Sequence, residues 1–345
     1  MNKSILFYDT KPYDKYFFDK FSKEYGVNID YLESKLNEKT AKLAKDYDVV
    51  CAFVNDTINE KVINILSECN VKLIAMRCAG YNNVDIKAAY GKIHIVRVPA
   101  YSPYAVAEYA MTLLLTLNRK THKAYNRIKE HNFSLVGLTG FDLYNKTIGV
   151  IGTGKIGRVF IDICKGFKAN VIAYDPYPNP NLDINYVSLD ELYKNSDIIS
   201  LHCPLTSQTH HIINQEAISK MKDNVIIINT SRGSLIDSNA LLNNIKSRKI
   251  GGVALDVYEE ESDIFYEDLS YEIIQDEILT QLISMPNVLL TSHQAFLTKE
   301  ALENIAQVTL KNIEEYFAEK PLENEICYHC GKDRTTNCRK NGRCF

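Results

Sequence analysis

The stretch Thr147-Ile148-Gly149-Val150-Ile151-Gly152-Thr153-Gly154-Lys155-Ile156-Gly157 decides the fold. Thr147 to Ile151 reads as a buried strand and Lys155 to Phe167 as an amphipathic helix, with three glycines at G-x-G-x-x-G spacing between them. Gly152 permits the tight turn, Gly154 lets backbone approach a pyrophosphate, and Gly157 lets the helix pack closely on the strand. The helix N-terminus, at Lys155 and Ile156, offers free N–H groups and the positive end of its dipole to phosphate. Asn170 to Tyr174 reads as the next strand, which places Asp175 at its end to bond an adenosine ribose. A carboxylate there repels an extra phosphate and no arginine follows it, so the expected cofactor is NAD rather than NADP.

Outward from this stretch, strands and helices alternate. Ser4–Tyr8, Val49–Val54, Leu73–Cys78 and Ile93–Val98 read as strands, interleaved with helices at Tyr13–Tyr25, Ile58–Cys69 and Val84–Tyr90. The pattern predicts an α/β fold with doubly wound parallel sheets. A single helix is expected from Pro103 to about Ile128, apolar nearly all round and therefore buried between domains or subunits, and a final helix from Thr298 to Phe317. The chain has 345 residues and a formal net charge of −3, which suggests two domains and gives no electrostatic case for nucleic acid or an anionic membrane. The run Ile5–Tyr8 is stopped by Asp9, and no window is long and apolar enough to span a bilayer, so a soluble cytoplasmic protein is expected. Cys51, Cys69, Cys78, Cys164 and Cys203 read as small reduced core residues.

Beyond the fingerprint, apolar strands end repeatedly in polar residues. Ile198–His202 precedes Cys203-Pro204, and Val225–Asn229 precedes Thr230-Ser231-Arg232-Gly233. Val253–Leu255 precedes Asp256 and the acidic run Glu259-Glu260-Glu261, and Val288–Thr291 precedes Ser292-His293. Ligands of open parallel sheets bind beyond the carboxyl ends of the strands, so Arg232, Glu261 and His293 are expected at one crevice. Together they supply what reduction of a 2-oxo acid requires. A guanidinium holds the carboxylate, an imidazolium donates a proton, and a carboxylate orients that imidazole. Read singly, Arg232 is an ion-pair partner and Glu261 one more loop charge. His94, His122, His131, His202, His210, His211 and His329 are read as capped or surface histidines.

The motifs T-S-R-G at Thr230, D-V-Y-E-E-E at Asp256 and S-H-Q-A-F at Ser292 resemble the D-isomer-specific 2-hydroxyacid dehydrogenases. R-C-A-G-Y-N-N-V-D at Arg77, V-P-A-Y-S-P at Val98 and F-S-L-V-G-L-T-G at Phe133 narrow the likeness to the fermentative D-lactate dehydrogenases of that family. The resemblance covers about residues 1–325. It implies a Rossmann-type NAD domain over 102–297, inserted into a discontinuous flavodoxin-like substrate domain of 1–101 and 298–326, with 327–345 as a cysteine-rich tail. It further implies that Arg232 binds substrate, that Glu261 partners the histidine, and that His293 is the acid/base. Ala79 and Gly80 would offer N–H groups to the substrate carboxylate, with Tyr101 at the pocket's border. Lys155, Ile156, Asp175, Cys203, Pro204, Thr209, Thr230, Ser231 and Asp256 would contact cofactor. The implied reaction is reversible NADH-dependent reduction of pyruvate to D-lactate by a homodimer. The alternatives are a bulkier substrate such as 2-oxoisocaproate, or an NAD-sensing protein without turnover. One departure is that Ser262 follows Glu261 where the wider family has proline, and a longer loop, Asp263 to Gln281, comes next.

The tail beyond the resemblance carries Cys327, Cys330, Cys338 and Cys344, with Lys332, Arg334, Arg339, Lys340 and Arg343. Four thiolates suit a tetrahedral zinc, while the basic charge suits a solvated tail, and no metal is assigned.

Overall fold

The computed structural model describes residues 3–261, 264–328 and 342–344. The chain forms two compact units, one of Met1–Ser102 with Leu297–Phe345 and one of Pro103–Phe296.

The first unit is built on five strands: β1 (Lys3–Phe7), β2 (Val27–Tyr31), β3 (Val49–Ala52), β4 (Leu73–Met76) and β5 (His94–Arg97). They pair in parallel in the order β2-β1-β3-β4-β5, the flavodoxin-like order whose reversal beside β1 leaves a crevice at the strands' carboxyl ends. β3 and β4 are buried along their whole length, as expected of strands covered by helices on both faces. The helix Lys299–Phe317, capped by the Thr298 hydroxyl on the Ala301 N–H, belongs to this unit; its Asn312 amide donates to the Arg97 carbonyl at 3.0 Å. β2 is not expected from the sequence. It follows Gly26, which ends the helix Pro12–Tyr25 in the left-handed region, and its polar Asn28 and Asp30 conceal an edge strand.

The second unit holds seven parallel strands: β6 (Thr147–Ile151), β7 (Asn170–Tyr174), β8 (Asn185–Tyr186), β9 (Ile198–Leu201), β10 (Val225–Asn229), β11 (Ile250–Leu255) and β12 (Val288–Leu290). Their order, β12-β11-β10-β9-β6-β7-β8, is the Rossmann arrangement extended by one strand. One face buries Leu201, Ile227, Val253 and Leu279, and the other buries Leu114, Ile148, Phe160 and Ile228. The sequence therefore does form doubly wound parallel sheets, as its alternation predicts.

Three expectations are corrected. The helix expected to run from Pro103 to Ile128 is two helices, Pro103–Arg119 and Thr121–Lys129, separated by Lys120 at φ +50°. The first ends where buried Asn118 clips both backbone groups of Phe141, at 2.7 and 2.9 Å; the second buries no residue. The loop expected from Asp263 to Gln281 instead enters a helix, Glu277–Ser284, capped by the Asp276 carboxylate on the Leu279 N–H. His94 and His202 are buried rather than surface residues: His94 Nδ1 lies 2.5 Å from Glu325 Oε1, and His202 Nε2 lies 2.9 Å from Ser200 Oγ.

The end of the chain packs on the first unit. The Gly342 carbonyl accepts the Leu322 N–H at 2.7 Å, and Arg343 donates to the carbonyls of Lys320, Glu315 and Tyr316. Among the described residues, Cys327 and Cys344 are half-buried thiols outside any disulfide. Cys330, Cys338 and His329, and with them the suggested four-cysteine set, lie outside the described residues. Among the described residues, no helix is long and apolar enough to cross a membrane.

Candidate active site

The glycines of the fingerprint are forced by contact. Gly152 sits at φ +97°, and a Cβ there would stand 2.7 Å from the Cys203 nitrogen; one on Gly157 would stand 2.0 Å from the Gly152 carbonyl oxygen. Gly154 differs, because an added Cβ would meet nothing within 4 Å. It is also the N-cap of the helix Lys155–Gly166 and supplies no side-chain cap, so the N–H groups of the first turn have no capping side chain. Asp175 follows β7, with Oδ2 accepting from the Thr153 N–H at 2.8 Å and Thr153 Oγ1 at 3.0 Å, and Oδ1 from the Tyr177 N–H at 2.9 Å. The carboxylate is thereby aimed at the same turn as the open helix end.

On the neighbouring strand ends, Cys203 is buried, and burial pushes its thiol up to about 11, so it stays neutral. Pro204 is exposed, and its carbonyl accepts from the hydroxyl of half-buried Thr209 at 2.6 Å. Thr230 is buried, and its Oγ1 finds no protein partner. Ser231 Oγ donates to the Leu201 carbonyl at 3.0 Å, tying the β10 exit to β9. An open cradle at Gly154, uncapped helix N–H groups and an orphaned hydroxyl fit a dinucleotide by its phosphates and polar edges.

The exits of β11 and β12 carry the titratable pair. His293 Nδ1 lies 2.9 Å from Glu261 Oε1, and Glu261 Oε2 accepts the Tyr258 N–H at 2.9 Å. A carboxylate only accepts, so Nδ1 carries the hydrogen and Nε2 is the nitrogen left for a ligand. Both side chains remain partly exposed, at 17% and 23%. The histidine backbone is held at φ +53°, its N–H donating to the Asp256 carbonyl at 2.7 Å and its carbonyl accepting from the Tyr266 hydroxyl at 3.1 Å.

Asp256 explains how that conformation persists. Its side chain is wholly buried, with Oδ1 accepting from Thr291 Oγ1 at 2.6 Å and the Gln294 N–H at 2.9 Å, and Oδ2 from the Ala295 N–H at 2.8 Å. Burial pushes its carboxyl above the ordinary range, while these three donors pull it back. The family resemblance implies that Asp256 contacts the cofactor; in the fold its carboxylate points into the loop that presents His293. Nothing in the spacing of the two residues signals this.

Arg232 leaves β10 half-buried, its Nη1 donating to the Ser231 carbonyl at 2.6 Å and its own carbonyl accepting from Asn229 at 2.8 Å. A Cβ on Gly233 would lie 2.0 Å from the Tyr258 carbonyl oxygen, so the turn after Arg232 rests directly on the turn that carries Glu261.

Ala79, Gly80 and Tyr101 belong to the first unit. The Ala79 carbonyl accepts from Arg97 at 2.8 Å and the Gly80 carbonyl from the Cys78 thiol at 3.3 Å, which leaves the N–H side of this loop for a ligand. Beneath it, Arg77 is buried between the rings of Phe7 and Phe53, 4.4 and 4.7 Å from their centroids. Tyr101 is half-buried just before the helix Pro103–Arg119.

Known proteins resemble this chain along most of its length. A 2-hydroxyacid dehydrogenase homolog of Haemophilus influenzae is 53% identical over 326 residues, covering 93% of this chain and 98% of the relative. D-lactate dehydrogenase of Escherichia coli is 48% identical over 326 residues, covering 93% and 99%. The solved pyruvate reductase of Chlamydomonas reinhardtii superposes with a TM-score of 0.90 at 44% identity, over 94% of this chain and 98% of that one. Residues 111–295 match the family described as D-isomer specific 2-hydroxyacid dehydrogenase, NAD binding domain. Glycine cradle, acid after β7, histidine–glutamate pair and these likenesses agree, and the chain belongs to the D-isomer specific 2-hydroxyacid dehydrogenases.

Proposed function

We propose that the protein catalyses the reversible NADH-dependent reduction of pyruvate to D-lactate. The observation that carries this reading is the 2.9 Å contact between His293 Nδ1 and Glu261, which leaves Nε2 free to protonate a carbonyl oxygen. Support also comes from relatives that bear the names D-lactate dehydrogenase and pyruvate reductase.

NADH, when bound, supplies the hydride that adds to the carbonyl carbon. Gly152, Gly154, Gly157, Lys155 and Ile156 form the phosphate cradle, and Asp175 takes the ribose hydroxyls. Cys203, Pro204, Thr209, Thr230 and Ser231 line the rest of the cofactor site, and Asp256 holds the loop beside it. Arg232 grips the substrate carboxylate as a fork, with the N–H groups of Ala79 and Gly80 and the ring of Tyr101 as further substrate contacts. His293 gives its Nε2 proton to the oxygen while Glu261 stabilises the imidazolium that this requires. Fermentative regeneration of NAD in the cytoplasm and homodimerisation through the helix Pro103–Arg119 belong to the same proposal.

The test follows NADH oxidation with pyruvate and with 2-oxoisocaproate, then determines the configuration of the hydroxy acid formed. Preference for pyruvate with D-lactate as product is expected. Faster turnover of 2-oxoisocaproate would move the protein to the bulkier substrates. NADH binding without oxidation by any 2-oxo acid would make it a sensing protein.

A further inference from the structure

A second titratable cluster lies in the loops of the nucleotide-binding unit. His211 Nε2 is 2.6 Å from Glu259 Oε1, and the His210 ring stacks on the His211 ring with centroids 3.9 Å apart and planes 27° apart. The candidate ligand atoms of the three side chains all lie within 4.8 Å of one another. His211 is itself fixed, at φ +51° with its N–H on the Ser234 carbonyl at 2.9 Å. The other oxygen of Glu259 accepts from Ser238 Oγ at 2.8 Å and from the Ser238 N–H at 3.4 Å. An ion-pair clamp between the two loops needs only His211 and Glu259. It leaves the exposed His210 imidazole, held beside them, without a purpose.

We propose that His210, His211 and Glu259 form a binding site for a divalent transition-metal ion of the zinc class. Two imidazoles and one carboxylate are a donor set typical of such ions, and a tetrahedral ion would keep one position for solvent. Two nitrogens among three donors disfavour calcium and magnesium, which take oxygen. Ligand atoms about a tetrahedral zinc stand roughly 3.3 Å apart, given metal–nitrogen distances of about 2.0–2.1 Å. The contact at 2.6 Å must therefore open by about 0.7 Å, and His210 must swing inward, a small motion for an exposed ring. Ser238 supplies the supporting contact that orients a ligating carboxylate. The ion would tie the loop after β9 to the turn Tyr258–Glu261, whose Tyr258 N–H holds the partner of His293.

The test is titration of the full-length, metal-free protein with Co²⁺, followed by absorption. The cysteines of the tail are the competing donors, and cobalt held by thiolates announces itself by a sulfur-to-metal charge-transfer band. The proposal expects one equivalent of cobalt with tetrahedral visible bands and no such charge-transfer band. It also expects His210→Ala to weaken that binding by about tenfold or more. His210 is exposed and outside the clamp, so this variant should keep the wild-type circular dichroism, with His210→Gln as its check. Glu259→Gln should weaken binding as well. No bound cobalt, cobalt held by thiolates alone, or a thiolate-free site indifferent to His210→Ala and His210→Gln would overturn the assignment.

Discussion

The carboxyl ends of the two parallel sheets are put to opposite uses. In the first unit, the exits of β1, β3 and β4 close over a buried charge cluster. Arg77 is 2% exposed, donates to the Asp9 carbonyl at 2.8 Å and lies 3.5 Å from Asp14. Asp56 there accepts the Leu36 and Phe53 N–H groups at 2.6 Å each, and burial pushes its carboxyl up to about 6 against the pull of Arg77. In the second unit, the exits of β11 and β12 leave His293 and Glu261 partly exposed, with only the supporting Asp256 sealed inside. Charge spent inward fixes loops, and charge left at the surface is available for chemistry. The comparison teaches that the position along a sheet edge does not make a residue functional; the exposure of its reactive atom does.

That contrast is broken most directly at His293. Replacing it with Asn, which tolerates the left-handed backbone, should cut the turnover of NADH with pyruvate by about 10²–10⁴-fold. The urea midpoint should hardly move, because the side chain is partly exposed. Turnover within a factor of a few of wild type would show that another group supplies the proton.

Arg77→Leu should do the reverse. Removing one member of a buried charge cluster leaves Asp14 and Asp56 uncompensated, at a cost of about 3–5 kcal/mol. With no tryptophan in the chain, far-ultraviolet circular dichroism in urea is the suitable measurement. A loss below about 1 kcal/mol, the scale of an exposed ion pair, would show that the cluster is not a platform.

How much of this was legible depends on the range of the interaction. The fingerprint could be read because its glycines answer to contacts made by the immediate strand, turn and helix, including the 2.0 Å approach at Gly157. The acidic run Glu259-Glu260-Glu261 could not be divided by spacing. The strand-end argument put Glu261 at the crevice, the family resemblance gave it the histidine as partner, and the fold shows how the run divides: Glu259 goes to His211, Glu260 stays exposed, and Glu261 takes His293. The pivot at Lys120 depends on Asn118 reaching Phe141, and β2 and β8 are too short or too polar to carry a period. His94 looked like a surface residue because its partner, Glu325, lies at the far end of the chain.

Asp256→Asn tests whether a sealed group of the second unit acts through the exposed one. An amide offers one acceptor oxygen where the carboxylate meets three donors on two oxygens, so its NH₂ must face a donor. An unsatisfied group of this kind costs about 1–3 kcal/mol. The loop 291–295 should loosen and kcat should fall by about tenfold or more, converting that cost at 1.4 kcal/mol per decade. A lowered urea midpoint with unchanged kcat would separate Asp256 from the presentation of His293.

The smallest effect sharpens the comparison within one residue type. His202 is the sealed counterpart of His293, packed against Phe160 with ring centroids 4.8 Å apart, and burial lowers its pKa to about 3. An unfolded histidine takes up a proton near pH 6.5, whereas the folded chain refuses it until near pH 3, so stability is lost as pH falls between those values. At pH 5 the unfolded state gains about 2 kcal/mol from this one site. His202→Asn, which cannot titrate, should therefore lose about 2 kcal/mol less than wild type between pH 7 and pH 5. Taking the difference within each variant cancels the constant cost of the substitution itself. Equal losses would mean that the folded protein already accepts a proton at His202, and that this ring is not sealed in the way that distinguishes it from His293.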